Sequence, residues 1–324
     1  MTETVEESTL PLRVQRIDDV ALGVKAFEMA HADGLPLPPA QAGAHIELQL
    51  PGGLARSYSL LNAPGETQRY VIAVHRTPDS AGGSRHMHES LNVGDALVAS
   101  APRNHFALDE AARHTCLIAG GIGITPLLSM AHRMNATGQS WELHVCARTP
   151  AHAAFADEVR ALAAAGANAS CHFHFDQVPG GQPLDIDALV RSQPDDVHFY
   201  CCGPTGMLAG FEAATAHCAQ RRHVEYFAAK AEAAVAGGFS VELARSRLTL
   251  EVPPGRSILD VVLDAGIAVA TSCREGICGS CETRILEGEA DHRDALLSPE
   301  EQALNQSMMI CCSGARSRKL VLDL

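Results

Sequence analysis

Cys273, Cys278 and Cys281 stand in the segment TSCREGICGSCETR at the spacing C-x4-C-x2-C, and twenty-nine residues separate Cys281 from Cys311. This is the plant-type spacing of a [2Fe–2S] centre, in which four thiolates converge on two irons. Gly276 and Gly279 would let the loop turn its backbone N–H groups toward the sulfides. Zinc is the alternative, but a structural zinc site pairs two close dyads, whereas here the fourth cysteine comes alone. Cys312 adjoins Cys311. A strand through the pair would send neighbouring side chains to opposite faces, so the spacing assigns Cys311 as fourth ligand and Cys312 as a buried bystander. Metal: Cys273, Cys278, Cys281 and Cys311 is the expected set.

The other cysteines need another explanation. Six of the eleven are scattered between Cys116 and Cys218; the total is odd, and the opening MTETVEESTL is acidic and polar rather than a secretory leader. A disulfide framework is therefore not expected. Every long apolar stretch is broken by a charge or a glycine short of a membrane span. We expect a soluble cytoplasmic chain with no membrane partner. The formal charge of −13 repels phosphates and excludes nucleic acid as an expected partner. With 46% apolar and 19% charged residues, the 324-residue chain can bury the cores of two or three domains.

Three compositional blocks follow one another. In residues 1–107, Ala44, Ile46, Leu48 and Leu50 alternate with polar positions, Tyr70, Ile72 and Val74 repeat the pattern, and Gly/Pro turns intervene, which predicts a small antiparallel β-barrel. Residues 108–228 alternate strand and helix candidates, from HTCLIAGG to TGMLAGFEAATAHCA, which predicts a parallel α/β domain. The small-residue stretch at 229–238 reads as a linker. Residues 239–324 begin with an FSVELA and RLTLEV hairpin and the helix SILDVVLDAG; with the cysteine loop they resemble the β-grasp ferredoxin fold. The fold class is thus multidomain.

In LIAGGIGITP, Gly120, Gly121 and Gly123 lie between a strand and a helix, where backbone amides and the helix dipole can hold a pyrophosphate. Thr125 is read as the N-cap and Pro126 as the first helical residue. A plain tight turn is the alternative. The loop resembles the GGxGxTP motif of the ferredoxin–NADP reductase superfamily, and CCGPTGM at 201–207 resembles its CGP turn. That resemblance implies nucleotide contacts for Cys202, Gly203, Pro204 and Met207, with Cys202 near the nicotinamide and Pro204 opening a helix. Alone, Cys202 would read as a buried structural cysteine. At the carboxyl end of a parallel strand it stands on the ligand-binding edge.

RSYSL at 56–60 resembles the R-x-Y-S flavin signature of the same superfamily. The resemblance implies Arg56 on phosphate, Tyr58 against the ring and Ser59 toward flavin N5, with Ser57 inside the motif. GGSRHMH then offers Gly82, Gly83 and Ser84 as a phosphate-binding turn, and Asn104 as a flavin neighbour follows in PRNHF. His75 is also counted on the flavin side, although a core or surface role is its plain alternative, as for His86.

The order flavin barrel, nucleotide domain, plant-type ferredoxin resembles the phthalate dioxygenase reductase family, which includes the vanillate O-demethylase reductases, over nearly the whole chain. The resemblance implies FMN, NADH and a [2Fe–2S] cluster as cofactors, and a separate Rieske non-haem iron oxygenase as partner. VEYF at 224–227 resembles the family's E-x-F, which adds Phe227 to Ser59 and Cys202 as candidate catalytic residues. Arg148, with Thr149 after the second strand of the nucleotide domain, could hold a 2′-phosphate and leaves NADPH open. We expect a monomer.

Hydride carries two electrons and an iron–sulfur cluster takes one, so a flavin must stand between them. A plant-type cluster near about −400 mV passes electrons downhill to a Rieske centre at roughly −150 to +300 mV. Two alternatives remain: a reductase for another terminal acceptor, such as a diiron or haem protein, against which the domain order argues, and a nucleotide-binding protein with a structural metal module.

Overall fold

The computed structural model describes residues 9–77 and 82–324, which divide into two compact units, 1–227 and 228–324. The first unit begins with β1 (Thr9–Ala21), β2 (Val24–His31), β3 (His45–Leu50), β4 (Leu54–Ser59), β5 (Tyr70–His75), the helix α1 (Gly83–Glu89) and β6 (Ala96–Ser100). The strands pair antiparallel in the order β4-β3-β6-β1-β2-β5. Beyond the ladder, Leu61 N–H donates to the Val71 carbonyl at 2.9 Å and ties the two ends of the sheet. The alternating apolar positions point inward as expected: Ile46, Leu48, Leu50, Tyr70, Ile72 and Val74 are buried together with Phe27 and Met29.

The same unit continues with β7 (His114–Gly120), α2 (Ile124–Thr137), β8 (Ser140–Ala147), α3 (Ala156–Ala165), β9 (Ala169–Phe175), α4 (Ile186–Ser192), β10 (His198–Cys202), α5 (Thr205–Ala214) and β11 (Arg222–Glu225). These strands form an all-parallel sheet in the order β11-β10-β7-β8-β9. After β7 the chain moves outward through β8 and β9, then returns to the other side of β7 to lay down β10. The β7/β10 boundary is therefore the topological switch point, outside whose carboxyl edge open α/β sheets bind ligands. Barrel and nucleotide-domain residues share one core: Leu61, Ala73 and Phe106 pack with Leu117, Met130 and Tyr200.

The second unit holds β12 (Phe239–Leu243), β13 (Leu248–Val252), α6 (Ile258–Asp264), β14 (Glu282–Glu287), β15 (Ala290–Asp291), α7 (Pro299–Leu304), β16 (Ser307–Met309), β17 (Gly314–Ala315) and β18 (Lys319–Leu322). Its mixed sheet runs β13-β12-β18-β14-β16 with α6 packed on it, a β-grasp arrangement. Ser257 caps α6 by accepting from the Asp260 amide, and the Asp260 carboxylate accepts from the Ser257 amide in return.

Three expectations need correction. Thr125 is not the N-cap: Gly123 is, with Pro126 third in α2, because Gly121–Gly123 already coil as a 3-10 turn leading into the helix. GGSRHMH is not a turn but the start of α1, whose buried Met87 seals the barrel core. Nor is 229–238 a free linker. Its later half is held in the second unit, where Ala234 N–H donates to the Cys312 carbonyl (2.7 Å) and Gly238 N–H to the Val252 carbonyl (2.9 Å). Small residues here permit close backbone approach rather than mobility.

Candidate functional site

The two loops that follow β7 and β10 meet at the switch point through glycines. A Cβ on Gly120 would lie 2.5 Å from Pro204 Cδ and 2.8 Å from Met207 Sδ, one on Gly203 3.1 Å from the Gly120 Cα, and one on Gly123 inside the Cys202 carbonyl. Gly121 takes φ +55° with open space around its Cβ position. Bare backbone on both loops thus lines the crevice, the property a pyrophosphate cradle requires. Thr125 is buried and its hydroxyl donates to the Ile122 carbonyl (3.0 Å), so it braces the turn. Arg148 follows β8 at the same edge, and its charge, after burial, is the next cause that pushes the His75 pKa down.

At the end of β4 the motif RSYSL splits by strand alternation, Arg56 and Tyr58 to one face and Ser57 and Ser59 to the other. Arg56 reaches the start of α1, where a Cβ on Gly83 would sit 3.0 Å from its side chain. Gly82 caps α1 at φ +104°. Ser84 Oγ lies 2.9 Å from Thr77 Oγ1, so its hydroxyl ties the start of α1 to the residue two beyond β5. Burial pushes the Tyr58 phenol up to about 12, and Ser57 Oγ is buried with no hydrogen-bond partner. A guanidinium beside a glycine-started helix fits a flavin phosphate. Asn104 instead supports the backbone, donating to the Ala42 carbonyl (2.9 Å).

Sequence reasoning missed the residue that joins these elements. Glu225 ends β11 beside Cys202, its partner in the ladder. Ser59 Oγ donates to Glu225 Oε2 at 3.5 Å, and Cys202 Sγ lies 3.9 Å from the same oxygen. The barrel and the nucleotide domain therefore meet through Ser59, Glu225 and Cys202. The signal lies in the E of E-x-F, the motif that also contains Phe227. Phe227 itself is 39% exposed.

Burial pushes the Glu225 carboxyl up to about 8, against hydrogen bonds from Ser59 and Cys202 that favour its ionised form. An unfolded chain ionises that carboxyl near 4.5. Between these two values the folded protein keeps a proton that the unfolded chain has lost, so this stabilising term is present below pH 4.5 and drains away as pH rises toward 8. Glutamine is neutral throughout. In Glu225→Gln, Tm should fall less steeply from pH 5 to pH 8 than in the wild type, measured by calorimetry; equal slopes would show that Glu225 ionises normally.

The cysteine loop lies in the second unit. Arg274, Gly276 and Gly279 take φ of 59°, 72° and 74°, which wraps the loop on itself. A Cβ on Gly276 would lie 2.5 Å from Cys312 Sγ and 3.0 Å from the Asp294 Cα, so only glycine fits there. Cys273 hydrogen-bonds with Cys278, and Cys281 with Cys311. The first of these contacts pulls Cys278 below the ordinary thiol range, and the second does the same to Cys311. Backbone N–H groups of Glu275 and Ile277 point at Cys273, and that of Gly276 at Cys311. Four convergent thiols met by amides fit the donor set of a [2Fe–2S] centre. The expected strand at 311–312 is absent: both cysteines lie in a turn after β16, so alternation does not separate them.

Residues 241–316 match the 2Fe-2S iron-sulfur cluster binding domain, and residues 117–213 the oxidoreductase NAD-binding domain. The phenoxybenzoate dioxygenase subunit beta of Ectopseudomonas oleovorans is 46% identical over 325 residues, covering 100% of both chains. A solved phthalate dioxygenase reductase, described as a modular structure for electron transfer from pyridine nucleotides to [2Fe-2S], is 38% identical with a TM-score of 0.72, covering 98% of this chain and 99% of that one. An intact type IV self-sufficient cytochrome P450 monooxygenase matches at 34% identity and a TM-score of 0.88, covering 98% of this chain. This chain spans only 41% of that longer one. Among the described residues no helix is long and apolar enough to cross a membrane.

Proposed function

The chain belongs to the phthalate dioxygenase reductase family, as an oxidoreductase with an NAD-binding domain and a C-terminal [2Fe–2S] domain, and from that premise we propose that it draws electrons from NADH through FMN and the cluster to a Rieske non-haem iron oxygenase. The observation that carries this reading is the junction of Ser59, Glu225 and Cys202, which sets the barrel's R-x-Y-S strand end against the carboxyl edge of the nucleotide sheet. When bound, flavin and cluster supply the conversion of one two-electron hydride into single electrons.

The protein's own residues orient and shield. Arg56 would hold the flavin phosphate, with Gly82 and Gly83 giving the chain room at the start of α1. Gly120, Gly121, Gly123 and Gly203 would hold the pyrophosphate of the nucleotide. Glu225 keeps a proton at neutral pH, so the junction carries no net charge where the two rings would meet. Cys202 is fully buried behind it. Phe227, exposed two residues beyond Glu225, offers a ring to stack on flavin or nicotinamide. FMN is favoured over FAD because Arg56, Gly82 and Gly83 offer a single phosphate site at the start of α1. We further infer a cytoplasmic monomer.

Acid release of the bound flavin followed by chromatography should give FMN; FAD as the main flavin would refute that part. Steady-state kcat/KM should favour NADH. If NADPH wins and Arg148→Ala selectively weakens it, the nucleotide assignment falls. The decisive assay supplies NADH, the purified chain and a Rieske oxygenase, and identifies a hydroxylated or demethylated aromatic product. Turnover with a haem acceptor and none with any Rieske component would favour the other reading, which the likeness to the P450 chain supports.

A further inference from the structure

A parallel sheet covered on both faces normally carries apolar residues on both, and one face of the nucleotide-domain sheet departs from this. Leu117, Ala119, Leu143 and Val145 point into the shared core. On the opposite face Cys116 of β7 stands level with Glu142 of β8, and His144 two residues further along β8 stands level with His172 of β9. One ligand atom each from Cys116, Glu142 and His144 lies within 4.8 Å of the other two. Cys116 and His144 are buried, whereas the Glu142 side chain keeps 16% of its surface exposed and leaves an entrance from solvent.

The hydrogen bonds around His144 single out one nitrogen. Nδ1 lies 3.0 Å from His174 Nε2, while His144 Nε2 is buried with no hydrogen-bond partner and sits 3.7 Å from Glu142 Oε1. A histidine whose far nitrogen is tied to a second group and whose near nitrogen is free is arranged as metal-ligating histidines are. Gln193 Nε2 donates to Glu142 Oε1 at 2.5 Å and fixes the carboxylate from outside.

We propose that Cys116, Glu142 and His144 form a binding site for one zinc-class divalent cation, with thiolate, carboxylate and imidazole as ligands and the fourth position left to water. Thiolate and imidazole select zinc over magnesium or calcium. Binding exchanges the Cys116 S–H proton for the metal: Zn2+ and a thiol give a zinc–thiolate and one proton released to solvent. The dication then balances one thiolate and one carboxylate, so the buried site is neutral. Cys116 precedes the Gly120 loop by four residues, about 13 Å along an extended strand, so the site is separate from the nucleotide crevice. It joins two neighbouring strands and should act as a staple on the sheet.

The test loads the flavin- and iron-replete full chain with one equivalent of Zn2+, removes free metal by desalting, and measures zinc, iron and flavin together. One zinc per chain should remain at unchanged iron and flavin, and Tm should rise. The zinc X-ray absorption spectrum should show one sulfur at about 2.3 Å and nitrogen or oxygen at about 2.0–2.1 Å. Cys116→Ser and His144→Gln should each weaken zinc binding by more than the roughly 10–100-fold that losing an outer partner costs, and abolish the Tm rise. No retained zinc, wild-type retention in both variants, or a shell of several sulfurs drawn from the cluster cysteines would overturn the proposal. Should a variant fail to hold flavin, the wild-type spectrum decides alone.

Discussion

Cys311→Ser should abolish the EPR signal of the reduced protein and its bound iron, while Cys312→Ser keeps both. The two thiols are neighbours in one turn and touch each other, yet their other partners differ. Cys311 pairs with Cys281 and receives the Gly276 amide, the kind of donor that supports a thiolate on iron. Cys312 directs its S–H at the Met309 carbonyl (3.7 Å), and its sulfur lies 3.9 Å from Ser313 Oγ. It is also the group that the Gly276 Cα faces, since a Cβ there would strike it at 2.5 Å. Cys312 therefore fills space beneath the loop and Cys311 closes the ligand set. The converse result, loss in Cys312→Ser with retention in Cys311→Ser, would reverse the assignment.

Strand alternation does not distinguish the two cysteines, even though the spacing points to Cys311. Spacing is written in the chain, whereas the setting of both thiols depends on Gly276, from a distant segment, coming up against Cys312. The same division runs through the molecule. The parallel sheet and the barrel strands were legible because apolar periodicity is local, as Ile46, Leu48 and Leu50 show. The glycines of GGIGITP were legible as a loop, but not the reason Gly120 and Gly123 are needed, which is the Cys202–Met207 segment packed against them. Thr125 looked like a cap because capping residues are read one helix at a time, and a preceding 3-10 turn supplied Gly123 instead. Helix α1 escaped because Gly-Gly-Ser is turn chemistry in isolation, and its burial of Met87 is tertiary. Glu225 stands in the E-x-F motif, but its role is not legible there, because its ordinary-looking carboxyl becomes unusual only when Ser59 and Cys202 enclose it.

A chain ending near Ala229 should fold, bind flavin and reduce ferricyanide with NADH at close to the full-length rate, yet reduce an oxygenase only at background. The boundary between the two compact units falls at Phe227/Ala228. Everything the flavin and nucleotide chemistry calls on lies before it: the β4 end with Arg56 and Ser59, the start of α1, the loops after β7 and β10, Glu225 and Phe227. The cut spares the second unit's own packing, because the segment that docks on that unit starts later, with Ala234 on the Cys312 carbonyl. Ferricyanide takes electrons from reduced flavin directly, so this assay bypasses the cluster. An oxygenase cannot be reached that way if the only one-electron carrier is held by Cys273, Cys278, Cys281 and Cys311 beyond the cut. Full oxygenase turnover by the shortened chain would break the relay of NADH, flavin, cluster and oxygenase. Failure to hold flavin would place residues beyond 227 in the flavin site's fold. Retained ferricyanide activity with lost oxygenase activity separates hydride chemistry from single-electron delivery along the chain, and so locates the second step in the unit that Gly276 and its amides build around the thiols.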